Sequence, residues 1–135
     1  MAGEGDFPPG GKESAVRRLL IVDDEPLIRW SLAETFRDLG HEVQVAGTAA
    51  EALQAVSSAA QFDTVLLDLR LPDSTDLALL VELRVAAPAA RIILMTAYGT
   101  PELNQRALAR GASCMLNKPF ELNDVLALVG WPALF

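Results

Sequence analysis

The chain has 135 residues, enough for one domain of ordinary size, and 51% of them are hydrophobic, enough for a core. With 11 basic residues against 18 acidic, the formal charge is −7, a poor balance for gripping nucleic acid or an anionic membrane directly. The single cysteine, Cys114, excludes an internal disulfide and fits a cytoplasmic protein; no apolar run approaches the roughly 20 residues that span a bilayer, and no basic segment followed by an apolar stretch marks a signal peptide.

Residues 1–15, rich in Gly and Pro, are expected to form a disordered leader. One domain is expected over residues 16–130, followed by an apolar tail, 131–135, that folds back, meets a partner or marks a cut from a longer protein. The first strand is placed at Arg18–Val22, which runs directly into Asp23, Asp24 and Glu25. Ile28, Leu32, Phe36 and Leu39 then recur at helical spacing between Pro26 and Gly40, the residues that favour a helix start and stop. Trp30, partly covered, and Phe36 fall on this helix, and His41 just beyond it is expected to be exposed. A second strand, Glu42–Ala46, leads to a helix over about 48–59, with Thr48 as its cap and Ala49, Leu53 and Val56 facing inward. The third strand, Asp63–Leu67, delivers Asp68, and the third helix, about Leu77–Val85, stops before Pro88. A fourth strand, Arg91–Met95, closes on Thr96, and its helix runs from about Pro101 to Arg110. The fifth strand, Ala112–Leu116, contains Cys114 as a small buried hydrophobe and closes on Asn117, Lys118 and Pro119. A last helix begins near Glu121 and fades at Gly130.

Five near-continuous apolar strands, each followed by a helix, define an α/β protein with a doubly wound parallel sheet covered on both faces. In such sheets ligands bind beyond the carboxyl ends of the strands. If the first and third strands are neighbours, Asp23, Asp24 and Asp68 converge there. Crowded carboxylates repel, so a cation belongs among them, and oxygen-only ligation suits Mg2+ or Mn2+. Thr96 and Lys118 close neighbouring strands. A hydroxyl, an ammonium and a metal together make a phosphoryl pocket, in which a carboxylate oxygen of Asp68 is the most plausible attacking atom.

The segments "LLIVDDEP", "VLLDLRLPD", "LMTAYG" and "LNKPF" resemble the receiver domains of two-component response regulators. The likeness runs from Arg17 to about Val129 with every spacing in order. It implies a flavodoxin-like fold with strand order 2-1-3-4-5. It also implies a phosphoprotein in which a sensor histidine kinase phosphorylates Asp68 to an aspartyl phosphate. Mg2+ would be held by Asp24, Asp68 and the Arg70 carbonyl, with Asp23 acting mostly through water. Lys118 would pair with the phosphoryl group, Thr96 would move toward it, and the Lys118–Pro119 bond would be cis. The fourth helix, fifth strand and fifth helix would form the surface used to dimerise or dock, with Arg106 and Arg110 available to an acidic partner. Residues 23–32 further resemble receivers of sigma-54-dependent transcription activators. The expectation is therefore a cytoplasmic signalling domain in transcription regulation, not an enzyme, with no direct contact to nucleic acid or membrane.

Three features depart from the family pattern or modulate it. Asp76 stands where the family has Gly, and is expected to cap the third helix. Met115 stands where the family has the aromatic residue that reports phosphorylation. Arg70 and Tyr98, each two residues past a site residue, would border the path of the hydrolytic water. A phosphatase of the haloacid-dehalogenase type would want Asp-x-Asp after the first strand, which "DDEP" lacks. A flavin module would want a Ser/Thr/Gly phosphate loop there. A degenerate receiver is opposed by the complete set of acids with Thr96 and Lys118.

Overall fold

The computed structural model describes residues 16–58 and 61–129. The expected leader and tail lie outside the described residues, as does Ala59 at the expected end of the second helix. Five strands, β1 (Arg18–Val22), β2 (Glu42–Ala46), β3 (Thr64–Asp68), β4 (Arg91–Thr96) and β5 (Cys114–Asn117), alternate with five helices, α1 (Pro26–Asp38), α2 (Ala49–Ser57), α3 (Ala78–Ala86), α4 (Pro101–Ala109) and α5 (Leu122–Val129). All four ladders are parallel and the order is β2-β1-β3-β4-β5, so β1 and β3 are neighbours, as the convergence of the acids requires.

The two faces of the sheet separate the core into two layers, because successive side chains of a strand point opposite ways. Leu20, Val22, Val65, Leu67, Ile92 and Leu94 pack against the apolar sides of α2 and α3 and against Ala107 of α4. Leu19, Ile21, Leu66, Ile93 and Met95 pack against Leu32 and Phe36 of α1 and Val125 and Val129 of α5. Each fully buried Leu or Ile contributes about 1.5–3 kcal/mol, so the central strands are firmly anchored in the core. Their last residues inherit that anchorage. The edge strand β2 departs from the continuous pattern: Glu42 and Gln44 are exposed and Val45 is 40% exposed.

Local differences from the sequence reading have local causes. β3 is shifted by one residue, because Asp63 turns its carboxylate to the Arg18 amide (2.7 Å) while Asp68 joins the ladder opposite Met95. β5 starts later, since the Ala112 amide donates back to Ala107 O (3.0 Å) and closes the end of α4 around Gly111, whose φ is +116°. Thr48 caps α2 as expected, accepting from the Glu51 amide at 3.1 Å. The buried stripe of α2, however, is Ala49, Ala52 and Ala55, with Leu53 and Val56 only partly buried at its flank. Three alanines let the helix approach closely, and the larger side chains pack beside that line. α1 ends with Gly40 at φ +92°, a conformation that favours glycine. His41 is not exposed: it is 7% accessible, and its Nδ1 accepts from the Arg17 amide at 3.0 Å. Cys114 is only half-buried, and Trp30 is 62% exposed.

Candidate functional site at the carboxyl edge of the sheet

Register brings the acids together. Val22 of β1 lies opposite Leu67 of β3, so the next residues, Asp23 and Asp68, emerge side by side. Asp23 is fully buried and tightly held: its amide donates to Ala46 O (3.0 Å), its Oδ1 accepts from the Glu25 amide (2.9 Å), and Arg29 Nη1 donates to its carbonyl (2.8 Å). Asp68 is 6% exposed and Asp24 is exposed. One carboxylate oxygen from each of Asp23, Asp24 and Asp68 lies within 4.8 Å of the others.

The neighbouring strands supply the cation and the hydroxyl. β4 and β5 pair Thr96 with Asn117, and the Lys118 amide donates to Thr96 O at 2.8 Å. The Lys118–Pro119 bond is cis. Lys118 Nζ stands 3.0 Å from Asp23 Oδ2, 3.2 Å from Glu25 Oε1 and 3.4 Å from Asp68 Oδ2. Thr96 is 2% exposed, and its Oγ1 accepts from the Tyr98 amide at 3.1 Å.

The electrostatics follow from this crowding. Burial, and then the charge of Asp23, push the Asp68 carboxyl above its ordinary value, against the opposing pull of Lys118 and the Arg70 amide. Burial alone would lower the Lys118 ammonium, but the hydrogen bond and charge of Asp23, with Asp68 and Glu25 behind them, leave it raised. Three carboxylates, those of Asp23, Glu25 and Asp68, thus face one ammonium, and Asp24 adds a fourth negative charge beside Asp23 and Asp68. The donors are oxygens only, two of them buried and rigid and one open to water, a set that fits Mg2+ with several waters retained. Among the described residues no helix is long and apolar enough to cross a membrane.

Asp23, Asp24, Asp68, Thr96 and Lys118 are therefore brought to one place. Arg70 joins them through its backbone: its amide donates to Asp68 Oδ1 at 3.3 Å, while its exposed side chain lies over the Tyr98 ring. Met115 is half-buried against the layer that contains α2, α3 and α4. The cap position of α3 falls on Leu77, not on Asp76 as expected, and Leu77 makes no side-chain cap; Asp76, one residue earlier, accepts from the Ala78 amide at 2.9 Å. Three contributors were missed from sequence. Glu25 is the third partner of Lys118, and its place in the "DDEP" run was a usable signal. Arg29 braces Asp23, but nothing local in the sequence marks it. Asp73 takes the Ala49 and Ala50 amides of α2 across the molecule, a contact visible only once the fold is known.

The chain belongs to the response regulator receiver domain family, whose description matches residues 19–130. It is 41% identical over 108 residues to the transcriptional activator protein PfeR of Pseudomonas aeruginosa, covering 80% of this chain and 35% of that protein. It is 34% identical over 111 residues to the DNA-binding transcriptional regulator NtrC of Azospirillum brasilense, covering 82% of this chain and 23% of the relative. The chain thus spans about a third or less of the length of these two curated relatives. A Burkholderia pseudomallei response regulator solved with a phosphorylated aspartic acid, a calcium ion and citrate superposes with a TM-score of 0.77 at 30% identity, over 87% of this chain and 69% of that one.

Proposed function

We propose that the protein is a phosphoacceptor switch: a sensor histidine kinase transfers a phosphoryl group to Asp68 in the presence of Mg2+. An oxygen of Asp68 attacks phosphorus, the bond from phosphorus to the donor nitrogen breaks, and the electron pair leaves with the imidazole. Asp23, Asp24, Asp68 and the Arg70 carbonyl would hold Mg2+, which supplies positive charge for the phosphoryl oxygens. Lys118, already 3.4 Å from Asp68, is placed to pair with one of those oxygens once transfer has occurred. Thr96 lies on the adjacent strand with its hydroxyl available to reorient toward another.

The observation that carries this reading is the group of three carboxylates within 4.8 Å beside a half-buried ammonium at strand ends. A groove of about 540 Å3 opens beside Lys118, floored by Ile28 and Phe120 and rimmed by Leu27 and Leu122, and gives a phosphodonor a place to rest. The domain acts in the cytoplasm as a signalling module. α4, β5 and α5 form its output surface and support a homodimer, with Arg106 and Arg110 exposed there. The test is mass spectrometry after incubation with acetyl phosphate and Mg2+. A phosphoryl adduct is expected on the parent and not on Asp68→Asn, and an unmodified parent would overturn the proposal.

A further inference from the structure

The loop that follows Asp68 is anchored by a carboxylate. Its first amide, Leu69, donates to Met95 O (3.0 Å), and its second, Arg70, donates to Asp68 itself. Leu71 and Ser74 then exchange backbone hydrogen bonds (2.8 and 3.3 Å) and close a tight turn, with Leu71 buried. At the tip of that turn, Asp73 Oδ1 accepts from the Ala49 amide at 2.7 Å and Oδ2 from the Ala50 amide at 3.1 Å. These are the first two amides of α2, where unpaired donors and the helix dipole favour a negative charge. The helix's own cap, Thr48, serves the third amide, Glu51. Asp73 therefore completes the cap of a helix to which it is not adjacent in sequence.

The contact closes a circuit. From Asp73 it passes through Ala49, Thr48 and Gly47 to Ala46, whose carbonyl receives the Asp23 amide. Gly47 lies so close to Arg29 that a Cβ there would stand 2.7 Å from Nη1, the atom that donates to the Asp23 carbonyl. The other arm runs from Asp73 back through only residues 69–72 to Asp68. Both acids are thus tied to one helix N-terminus, Asp23 through Ala46 and Asp68 through its loop, with Arg70 along the short arm.

We infer that Asp73 is a positioning residue: by clamping the Asp68 loop to the start of α2, it sets the spacing of Asp68 and the Arg70 carbonyl against Asp23 and Asp24, and so the affinity of the site for Mg2+. This inference rests on the proposed metal site. The Asp73 carboxylate hydrogen-bonds to the Ala49 and Ala50 amides and would act on the ion only through the loop.

The test compares Mg2+ dissociation constants by titration calorimetry for the parent, Asp73→Ala, Asp73→Asn and Thr48→Ala. Thr48→Ala removes a cap from the same helix without touching the loop, so it reports what weakening α2 alone does. Thermal midpoints of all four confirm folding and match the stability losses. Asp73→Ala is expected to bind Mg2+ about tenfold more weakly than the parent, Asp73→Asn to recover part of the loss through its one remaining acceptor oxygen, and Thr48→Ala to bind like the parent. Equal affinity in Asp73→Ala and the parent would overturn the inference while leaving the metal site intact, and so would an equal loss in Thr48→Ala. A parent that takes up no Mg2+ would overturn the site and this inference together.

Discussion

The guanidinium carbon of Arg70 lies 4.7 Å from the centre of the Tyr98 ring. The two residues stand two positions beyond Asp68 and two beyond Thr96, on adjacent strands, so their stacking bridges the gap between the strand ends. If Asp68 carries a phosphoryl group as proposed, the bridge would stand on the approach of hydrolytic water to it. An exposed cation–π contact is worth about 0.5–1 kcal/mol. The double variant Arg70→Ala/Tyr98→Ala is therefore expected to lose phosphate a few times faster than the parent, measured by the decay of the phosphorylated species after donor removal. An unchanged decay rate would remove the bridge from the account.

Asp68 gives a second expectation with a definite sign. Its carboxyl is raised above 3.8 by burial and by Asp23. The folded metal-free protein therefore binds a proton there more tightly than the unfolded chain does. Stability of the metal-free form should fall as pH rises from about 3.8 through the raised folded value, and the penalty persists above it. Asp68→Asn removes that charge, so it should raise the thermal midpoint in the presence of a chelator. Mg2+ should reverse the comparison: at about 100 times its dissociation constant it adds about 2.7 kcal/mol to the parent, and less to the variant. Thermal denaturation of both proteins with EDTA and with Mg2+ checks the crossing.

The five strands were legible as apolar runs and their order came with the family resemblance, while four of the runs lead into a chemically distinctive residue, Asp23, Asp68, Thr96 or Asn117 and Lys118, which marked the candidate site. A buried strand fixes its last residue in space, so naming the strand nearly names the site. The failures lie where contacts cross the chain. His41 was misplaced because a histidine after a helix-ending glycine looks solvated, and only the fold brings the Arg17 amide to its ring. Asp73 was not singled out from sequence, since its partners lie 24 and 23 residues away. The α2 stripe was misread because Leu53 and Val56 are the largest apolar side chains of the helix, whereas the buried line is made of the small residues Ala49, Ala52 and Ala55, with the larger pair packed at its flank.

His41 should make the fold acid-sensitive. Burial, and next the charge of Arg17, lower its pKa below 6.5, with Asp63 opposing. The unfolded chain then binds the proton more tightly. The stability contributed by the neutral ring is present above about pH 6.5 and is lost as pH falls toward the lowered folded value. Protonation would also convert the Nδ1 acceptor into a donor facing the Arg17 amide. His41→Gln keeps an acceptor and removes the titration. Its stability relative to the parent, from urea denaturation with Mg2+ present, should improve between about pH 7 and pH 5. A constant difference across that range would contradict this.

Lys118 separates the electrostatic role of the site from its chemical one. Asp23 has no exposed surface and keeps Lys118 at 3.0 Å as its side-chain counter-charge. Removing one partner of a buried pair costs about 3–5 kcal/mol, because the remaining charge is left without compensation. Lys118→Ala should therefore be strongly destabilised when metal-free. A divalent ion can replace the missing charge, so this variant should gain more stability from Mg2+ than the parent does, and bind the ion at least as tightly, since the ammonium competes with it for the same oxygens. The phosphoryl group would nevertheless lack its fixed cationic partner, and phosphorylation by acetyl phosphate should fall by tenfold or more, on the scale of losing about one strong charge-assisted contact. Mg2+ titration, thermal melts and mass spectrometry on the one variant distinguish the cases. If metal binding and phosphorylation fell together, Lys118 would be organising the acids, and its role as the partner of the transferred group would have to be abandoned.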